Sequence, residues 1–139
     1  MEYKRFAGKI AVRLDKGDEI IDKIKEVCKK EGVKAAYFSG IGATDDFIVG
    51  VFDVIKKEYE TQNFNGDYEI NVLAGNVTTV ASEPYVHAHI TCTGKNGVVG
   101  GHLLSGAISL TGEILIDVLD GEITRERNAE LGINVLKFI

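Results

Sequence analysis

The feature that most restricts the fold is the turn-forming cluster GKNG at residues 94–97, which separates two extended segments. The residues before it, such as Tyr85, Val86, Ile90 and Thr91, favour β-strands, and Val98–Leu104 forms a second extended run. Glycine and asparagine clustered between two such runs are typical of a tight reversal of the chain. The pattern predicts a β-hairpin and therefore a sheet with antiparallel neighbours.

This predicted hairpin contains all three histidines of the chain, His87, His89 and His102. His87 and His89 are two residues apart, so a strand projects both side chains from the same face. If the loop is Lys95-Asn96 or all four residues 94–97, His89 lies opposite His102, with β-carbons about 4.5–5.5 Å apart. His87 then lies on the diagonal at roughly 7–8 Å. Three imidazoles placed in this way could bind one metal ion through nitrogens at about 2.0–2.1 Å.

Other hairpin registers remain open from the sequence. A two-residue type I′ turn at Asn96-Gly97 would place His102 opposite Thr91 and leave His87 too far away to share an ion. A loop with an odd number of residues would turn His102 to the other face, and Gly100-Gly101 could introduce a bulge. A single histidine is more often structural than a metal ligand, but the three together favour a metal site.

Length and composition indicate one globular domain over residues 1–139, with 45% hydrophobic and 27% charged residues. The net charge of −5 argues against a dedicated nucleic-acid-binding protein, which usually carries a basic surface. There is no signal-peptide pattern and no run of 18 apolar residues, so we expect a cytoplasmic protein without a membrane segment.

The two cysteines, Cys28 and Cys92, are too few for a disulfide framework, which agrees with a reducing compartment. Cys92 has the opposite strand parity to His87 and His89, so we expect it to point away from them into the core.

The apolar spacing predicts one main helix and several strands. Glu19–Glu31 carries apolar residues at helical spacing, and Gly32 follows where a helix C-terminus is expected. Asn65-Gly66-Asp67 predicts a turn, Gly75 a bulge or bend, and the segment from Arg125 to Gly132 an exposed loop. The predicted fold class is α+β, a mostly antiparallel, strongly bent sheet of about eight strands with one main helix at about residues 18–31. Besides the hairpin, the strands are predicted at 6–14, 33–42, 47–54, 59–64, 68–80, 107–119, 123–127 and 134–138.

Glu113 is the candidate catalytic residue, because it is a lone carboxylate in the apolar segment Ala107–Leu119. A buried carboxylate of this kind could act as a general acid or base near the histidines. It could equally be an edge residue or one paired with Arg13, and Arg13 could also hold a substrate carboxylate.

Several motifs together resemble the PPC domain (plants and prokaryotes conserved), of the single-domain prokaryotic type. They extend over nearly the whole chain and are VRLDKGD at 12–18, SGIGA at 39–43, YEI at 68–70, LAGN at 73–76, HAH at 87–89, GGHLLSG at 100–106 and Glu113. The resemblance implies a homotrimer with pockets near its interfaces. It also implies structural kinship with acetolactate decarboxylases, which hold zinc with three histidines, and so makes His87, His89 and His102 the expected zinc ligands.

Two departures separate this chain from plant members of that family. It contains no AT-hook, the Arg-Gly-Arg-Pro type of arm that enters the DNA minor groove, and its turn reads Gly66-Asp67-Tyr68 where plant forms carry an arginine. The first functional hypothesis is therefore a trimeric metal protein whose pocket binds or processes a small molecule. The alternative is a non-catalytic oligomerisation or interaction module of the type called DNA-binding. The sequence leaves open whether any reaction is catalysed.

Overall fold

The computed structural model describes residues 1–138, which contain one helix and eight strands. The predicted α+β class, with about eight mostly antiparallel strands and one main helix, is confirmed. The elements are β1 Glu2–Phe6, β2 Lys9–Asp15, α1 Ile20–Lys30, β3 Ala36–Asp53, β4 Glu58–Val80, β5 Glu83–Gly94, β6 Gly97–Val118, β7 Ile123–Asn128 and β8 Ile133–Phe138.

The sheet is bent because four of its strands pair in a ring. The strand order is β1-β2-β6-β3-β4-β7-β8, and β5 pairs with both β4 and β6. Since β3 also pairs with both β4 and β6, strands β3 to β6 close on one another. All pairings are antiparallel except the short contact of β4 with β7, where Thr79 lies beside Thr124. This closure brings residues of distant strands around the β5–β6 hairpin.

Three strands are longer than the sequence predicts, because segments that we expected to be separate are continuous. The predicted turn at Asn65-Gly66-Asp67 is wrong, since these residues lie inside β4. The register of β3 against β4 shifts between Thr44 and Asp46, opposite Tyr68 and Asn65, so the turn-forming residues are accommodated in a bulge. A bulge accepts the same local conformations as a turn without reversing the chain.

Of the bulge or bend predicted at Gly75, the bulge is absent, because Gly75 pairs in regular register with Ala88. The irregularity between β4 and β5 lies earlier, between Ile70 and Val72. Gly75 instead permits close backbone approach, since a β-carbon there would collide with the carbonyl oxygen of His87.

The helix α1 closes the core on one side of the sheet. The Glu19 side chain accepts a hydrogen bond from the Asp22 amide at 2.7 Å and caps the helix, and Gly32 follows the helix with a φ of 64°. The apolar stripe of α1 is buried against strands β5 and β6. No helix among residues 1–138 is long and apolar enough to cross a membrane.

Both cysteines are free and lie in the core, as expected. Burial raises the pKa of the Cys28 thiol to about 12 and that of the Cys92 thiol to about 11. Both are therefore neutral thiols at physiological pH, and Cys92 belongs to the packing rather than to the histidine group.

Candidate metal centre

The β5–β6 hairpin has the register that brings all three histidines together. Gly94 pairs with Gly97 around a Lys95-Asn96 loop, and His89 lies opposite His102. This confirms the first of the predicted registers, and no shift occurs at Gly100-Gly101.

The three imidazoles form one compact group. The ring centroids of His87 and His102 are 5.0 Å apart, those of His87 and His89 5.3 Å, and those of His89 and His102 5.5 Å. One nitrogen from each ring can be chosen so that all three lie within 4.8 Å of one another. His89 is exposed while the other two are half-buried, so the group opens to solvent on one side.

The ring of Tyr59 stacks on the ring of His102. The two rings stack with centroids 4.6 Å apart and an interplanar angle of 20°. Gly50, the β3 partner of His102, makes room for this contact, because a β-carbon there would lie 2.8 Å from Cδ1 of Tyr59. The stacking therefore holds the His102 ring in a fixed orientation.

The Nδ1 atom of His102 is buried and has no hydrogen-bond partner among residues 1–138. Leaving such a polar atom unsatisfied costs on the order of 1–3 kcal/mol. A bound metal ion is one way to satisfy a histidine nitrogen in this position. Binding of a ligand that satisfies this nitrogen would therefore be favourable.

Burial keeps the imidazoles of His87 and His102 in the neutral form that binds metals. Burial lowers the pKa of His102 to about 4, assisted by the positive charges that His87 and His89 would carry. Burial also lowers the pKa of His87, and the nearby charges of Arg125 and His89 add to the effect. Both rings are neutral at physiological pH, and neutral imidazole offers the lone pair that a metal needs. Three histidine nitrogens match the donor set of zinc sites that keep a fourth position open.

Arg125, on β7, lies beside this group. Its Nε donates to Thr78 Oγ1 at 2.9 Å, its Nη2 to Asn76 Oδ1 at 2.8 Å and its Nη1 to the Asn134 carbonyl at 3.1 Å. Its Cζ atom lies 4.8 Å from the ring centroid of Tyr85. Arg125 thus lies on β7, in agreement with the strand predicted at 123–127, and its half-buried side chain contradicts the exposed loop predicted from Arg125 onwards.

Sequence reasoning missed Tyr59, Tyr85 and Arg125 as neighbours of the site. Tyr85 was detectable, because it precedes His87 by two residues and shares its face of the strand. Nothing in the local sequence connects Tyr59 or Arg125 to the hairpin, since β4 and β7 are brought there by long-range pairing.

Glu113 is not part of the histidine group within one chain. It lies eleven positions beyond His102 on β6, or roughly 35 Å along an extended strand. The prediction that Glu113 is buried is wrong, since its side chain is exposed. Its register partner Arg13 is engaged by Glu2 at 3.0 Å and by Asp15 at 2.9 Å. The acid–base role of Glu113 remains a prediction.

Glu113 and Arg13 instead line a separate open groove of about 760 Å³ on the outer face of the sheet, together with Ile41, Val72 and Leu115. None of the histidines lines this groove.

Solved structures with the same fold include proteins from bacteria and archaea. A metal-containing protein from Archaeoglobus fulgidus is 30% identical, with a TM-score of 0.89, covering 99% of this chain and 97% of that one. A plant- and prokaryote-conserved (PPC) protein from Pyrococcus horikoshii is 32% identical, with a TM-score of 0.86 and coverage of 99% and 94%. A protein from Bacteroides thetaiotaomicron that has been proposed to bind DNA is 30% identical, with a TM-score of 0.95 and coverage of 99% and 96%.

No curated protein matches the chain in sequence. The sequence profile of the Plants and Prokaryotes Conserved (PCC) domain matches residues 1–120. This is the PPC domain under another abbreviation. The histidine group on β5 and β6 lies within this matched part. The chain therefore belongs to the Plants and Prokaryotes Conserved domain family.

Proposed function

We propose that the chain forms a cytoplasmic homotrimer in which each subunit holds one zinc ion through His87, His89 and His102 and binds a small molecule beside it. The observation that carries this proposal is the convergence of the three imidazoles, one with a buried and unpartnered Nδ1. The metal-containing relative from Archaeoglobus fulgidus supports a metal in this fold. Zinc is the metal proposed, because three imidazoles and an open position are typical of its sites. The two free thiols agree with a reducing compartment.

A zinc ion in such a site can polarise an oxygen of a small molecule or lower the pKa of bound water. The protein's own contribution is to fix the donors and limit access. Tyr59 holds the His102 ring by stacking, and the exposed side of His89 leaves an approach from solvent. Burial raises the pKa of the Tyr59 phenol, so Tyr59 offers a neutral hydroxyl close to the site. This supports ligand binding, and no reaction is assigned.

The metal site is tested by elemental analysis of protein purified without an affinity tag. We expect about one zinc per chain in the wild type and almost none in His102→Ala, which loses a ligand from the group. The matched control is Glu113→Gln on the same strand, which should keep its zinc because Glu113 lies outside the group.

A wild type that holds no metal, even after zinc is added and the excess removed, would contradict the metal site. The histidines would then be packing residues, and the alternative of a non-catalytic interaction module would be favoured.

The proposed trimer is supported by an apolar face of the sheet that is open to solvent in the single chain. Its large apolar side chains are 50–62% exposed and belong to Tyr37, Ile41, Val72 and Leu115. A contiguous apolar patch of this kind commonly marks a protein–protein interface. Three copies of the chain could cover these faces mutually.

Sedimentation equilibrium should give a mass three times the 15.1 kDa of the chain. A charge in the apolar face should oppose burial, so Leu115→Asp is expected to shift the distribution towards monomer. Leu131→Asp, at an exposed leucine in the β7–β8 connection, is the control and should leave the mass unchanged. A wild-type monomer at micromolar concentration would contradict the trimer.

A further inference from the structure

Arg125 is held rigidly next to the histidine group. One of its contacts is to Asn76, the β4 partner of His87, and its guanidinium stacks on Tyr85, two residues before His87 on the same face of β5. Its contact with Thr78 involves a side chain that is only 1% exposed. The orientation of the guanidinium is therefore set by the sheet and not by solvent.

The position of this charge needs an explanation if a divalent cation is bound at the histidines. A guanidinium and a metal ion repel each other, and the repulsion is larger near a partly buried site than in water. The three acceptors that Arg125 contacts are neutral, a hydroxyl, a side-chain amide and a backbone carbonyl, so they do not compensate its charge. An anion between the guanidinium and the metal would attract both cations and so offset their mutual repulsion.

The hydrogen-bonding capacity of Arg125 identifies the class of anion. A guanidinium has five N–H donors, and three of them are used in the contacts to Thr78, Asn76 and Asn134. One N–H remains on each of the two terminal nitrogens. A guanidinium with a free N–H on each terminal nitrogen can donate to both oxygens of a carboxylate.

We propose that Arg125, stacked on Tyr85, recognises the carboxylate group of a small carboxylic acid that binds at the open position of the metal site. This inference rests on the proposed metal site and names the ligand class for it. Arg125 follows the residues 1–120 that match the family profile, so the assignment concerns this chain's own C-terminal hairpin. The same hydrogen bonds also tie β7 to β4 and β8, and the test must separate recognition from this structural role.

The probes are pyruvate and its neutral amide, pyruvamide, added to protein in which cobalt(II) replaces zinc. Ligand binding at the metal is followed by the change in the visible absorption of cobalt, after the cobalt content and unfolding temperature of each variant have been measured. The variants are Arg125→Gln, which removes the charge, and Arg125→Lys, which keeps the charge but loses the fork. Arg127→Gln is the control, because it makes the same charge change at an exposed residue of the same strand.

The wild type should bind pyruvate more tightly than pyruvamide. We expect the dissociation constant for pyruvate to rise at least about tenfold in Arg125→Gln, since a charge-assisted hydrogen bond is lost. The rise should be smaller in Arg125→Lys, and Arg127→Gln should stay close to the wild type because the charge of an exposed side chain is screened by solvent and salt. Cobalt content should be equal in all four proteins.

Equal binding of pyruvate and pyruvamide by the wild type would overturn this inference, even if Arg125→Gln fails to fold. So would an unchanged pyruvate affinity in folded, cobalt-loaded Arg125→Gln or Arg125→Lys. In these cases the metal site itself would stand. Failure of the wild type to bind either cobalt or zinc would overturn the proposed metal site and this inference together.

Discussion

Zinc at about 100 times its dissociation constant should raise the midpoint of thermal unfolding by about 10 °C relative to the metal-free protein. Ligand at this concentration stabilises the folded state by about 2.7 kcal/mol when it does not bind the unfolded chain. For a domain of this size, each kcal/mol corresponds to roughly 3–4 °C. The ligands come from both strands of a hairpin whose second strand, β6, also pairs with β2 and β3, so the site exists only in the folded sheet. Differential scanning calorimetry at several zinc concentrations measures the effect.

The controls assign the shift to the three histidines. His89→Ala and His102→Ala should show little or no shift with zinc, because each removes one donor from the group. Magnesium should have no effect on the wild type, since it prefers oxygen ligands. An equal zinc-induced shift in the wild type and both variants would contradict the assignment and place the zinc at another part of the surface.

The hairpin was predictable because local chemistry determines its geometry. The turn cluster at residues 94–97 locates the chain reversal, and the two-residue strand period puts His87 and His89 on one face. What the sequence left open was the loop length, and with it the register and the face on which His102 lies. In the structure Gly94 pairs with Gly97, which sets the register of the hairpin. The other edge of β6 pairs with β3, where Gly50 lies opposite His102.

Strand continuity was not predictable, because a bulge and a turn use the same residues. Gly66 has a φ of 116° inside β4, a conformation that glycine adopts equally well at a chain reversal. Only the pairing of β4 along β3, over residues as far apart as Asp53 and Ala36, shows that the chain continues in one direction.

The surroundings of the histidines were unpredictable for a similar reason. Tyr59 reaches His102 because β3 and β4 pair far from the core, and Arg125 reaches the hairpin through the short parallel contact of β7 with β4. Neither arrangement leaves a periodic signal in the sequence. The three histidines could thus be predicted from the local sequence. The residues that orient them and set their charge environment could be identified only from the closed sheet.

Gly75→Ala should destabilise the metal-free protein by about 3 kcal/mol or more, at the upper end of the range for overpacked sites. A β-carbon at this position would overlap the carbonyl oxygen of His87 and lie 2.7 Å from Cζ of Phe38 and 2.9 Å from Cα of Ala88. Two of these atoms belong to the backbone of β5, so rotating a side chain cannot relieve the collision. The pairing of β4 with β5 must move instead, and His87 and His89 lie on the part of β5 that moves. The variant should therefore lose zinc affinity as well as stability, although Gly75 is not a ligand.

Urea unfolding of the metal-free proteins measures the stability, and zinc titration of the folded proteins measures the affinity. Gly8→Ala is the matched control, because the nearest atom to its new β-carbon would be the Val118 carbonyl oxygen at 3.8 Å, an ordinary contact. That variant should be as stable as the wild type or up to about 1 kcal/mol more stable, since alanine restricts the unfolded chain. Equal unfolding midpoints for Gly75→Ala and Gly8→Ala would show that β5 can withdraw from β4 at little cost. His89 would then be held in place by its pairing with His102 on β6, and Gly75→Ala should in that case keep its full affinity for zinc.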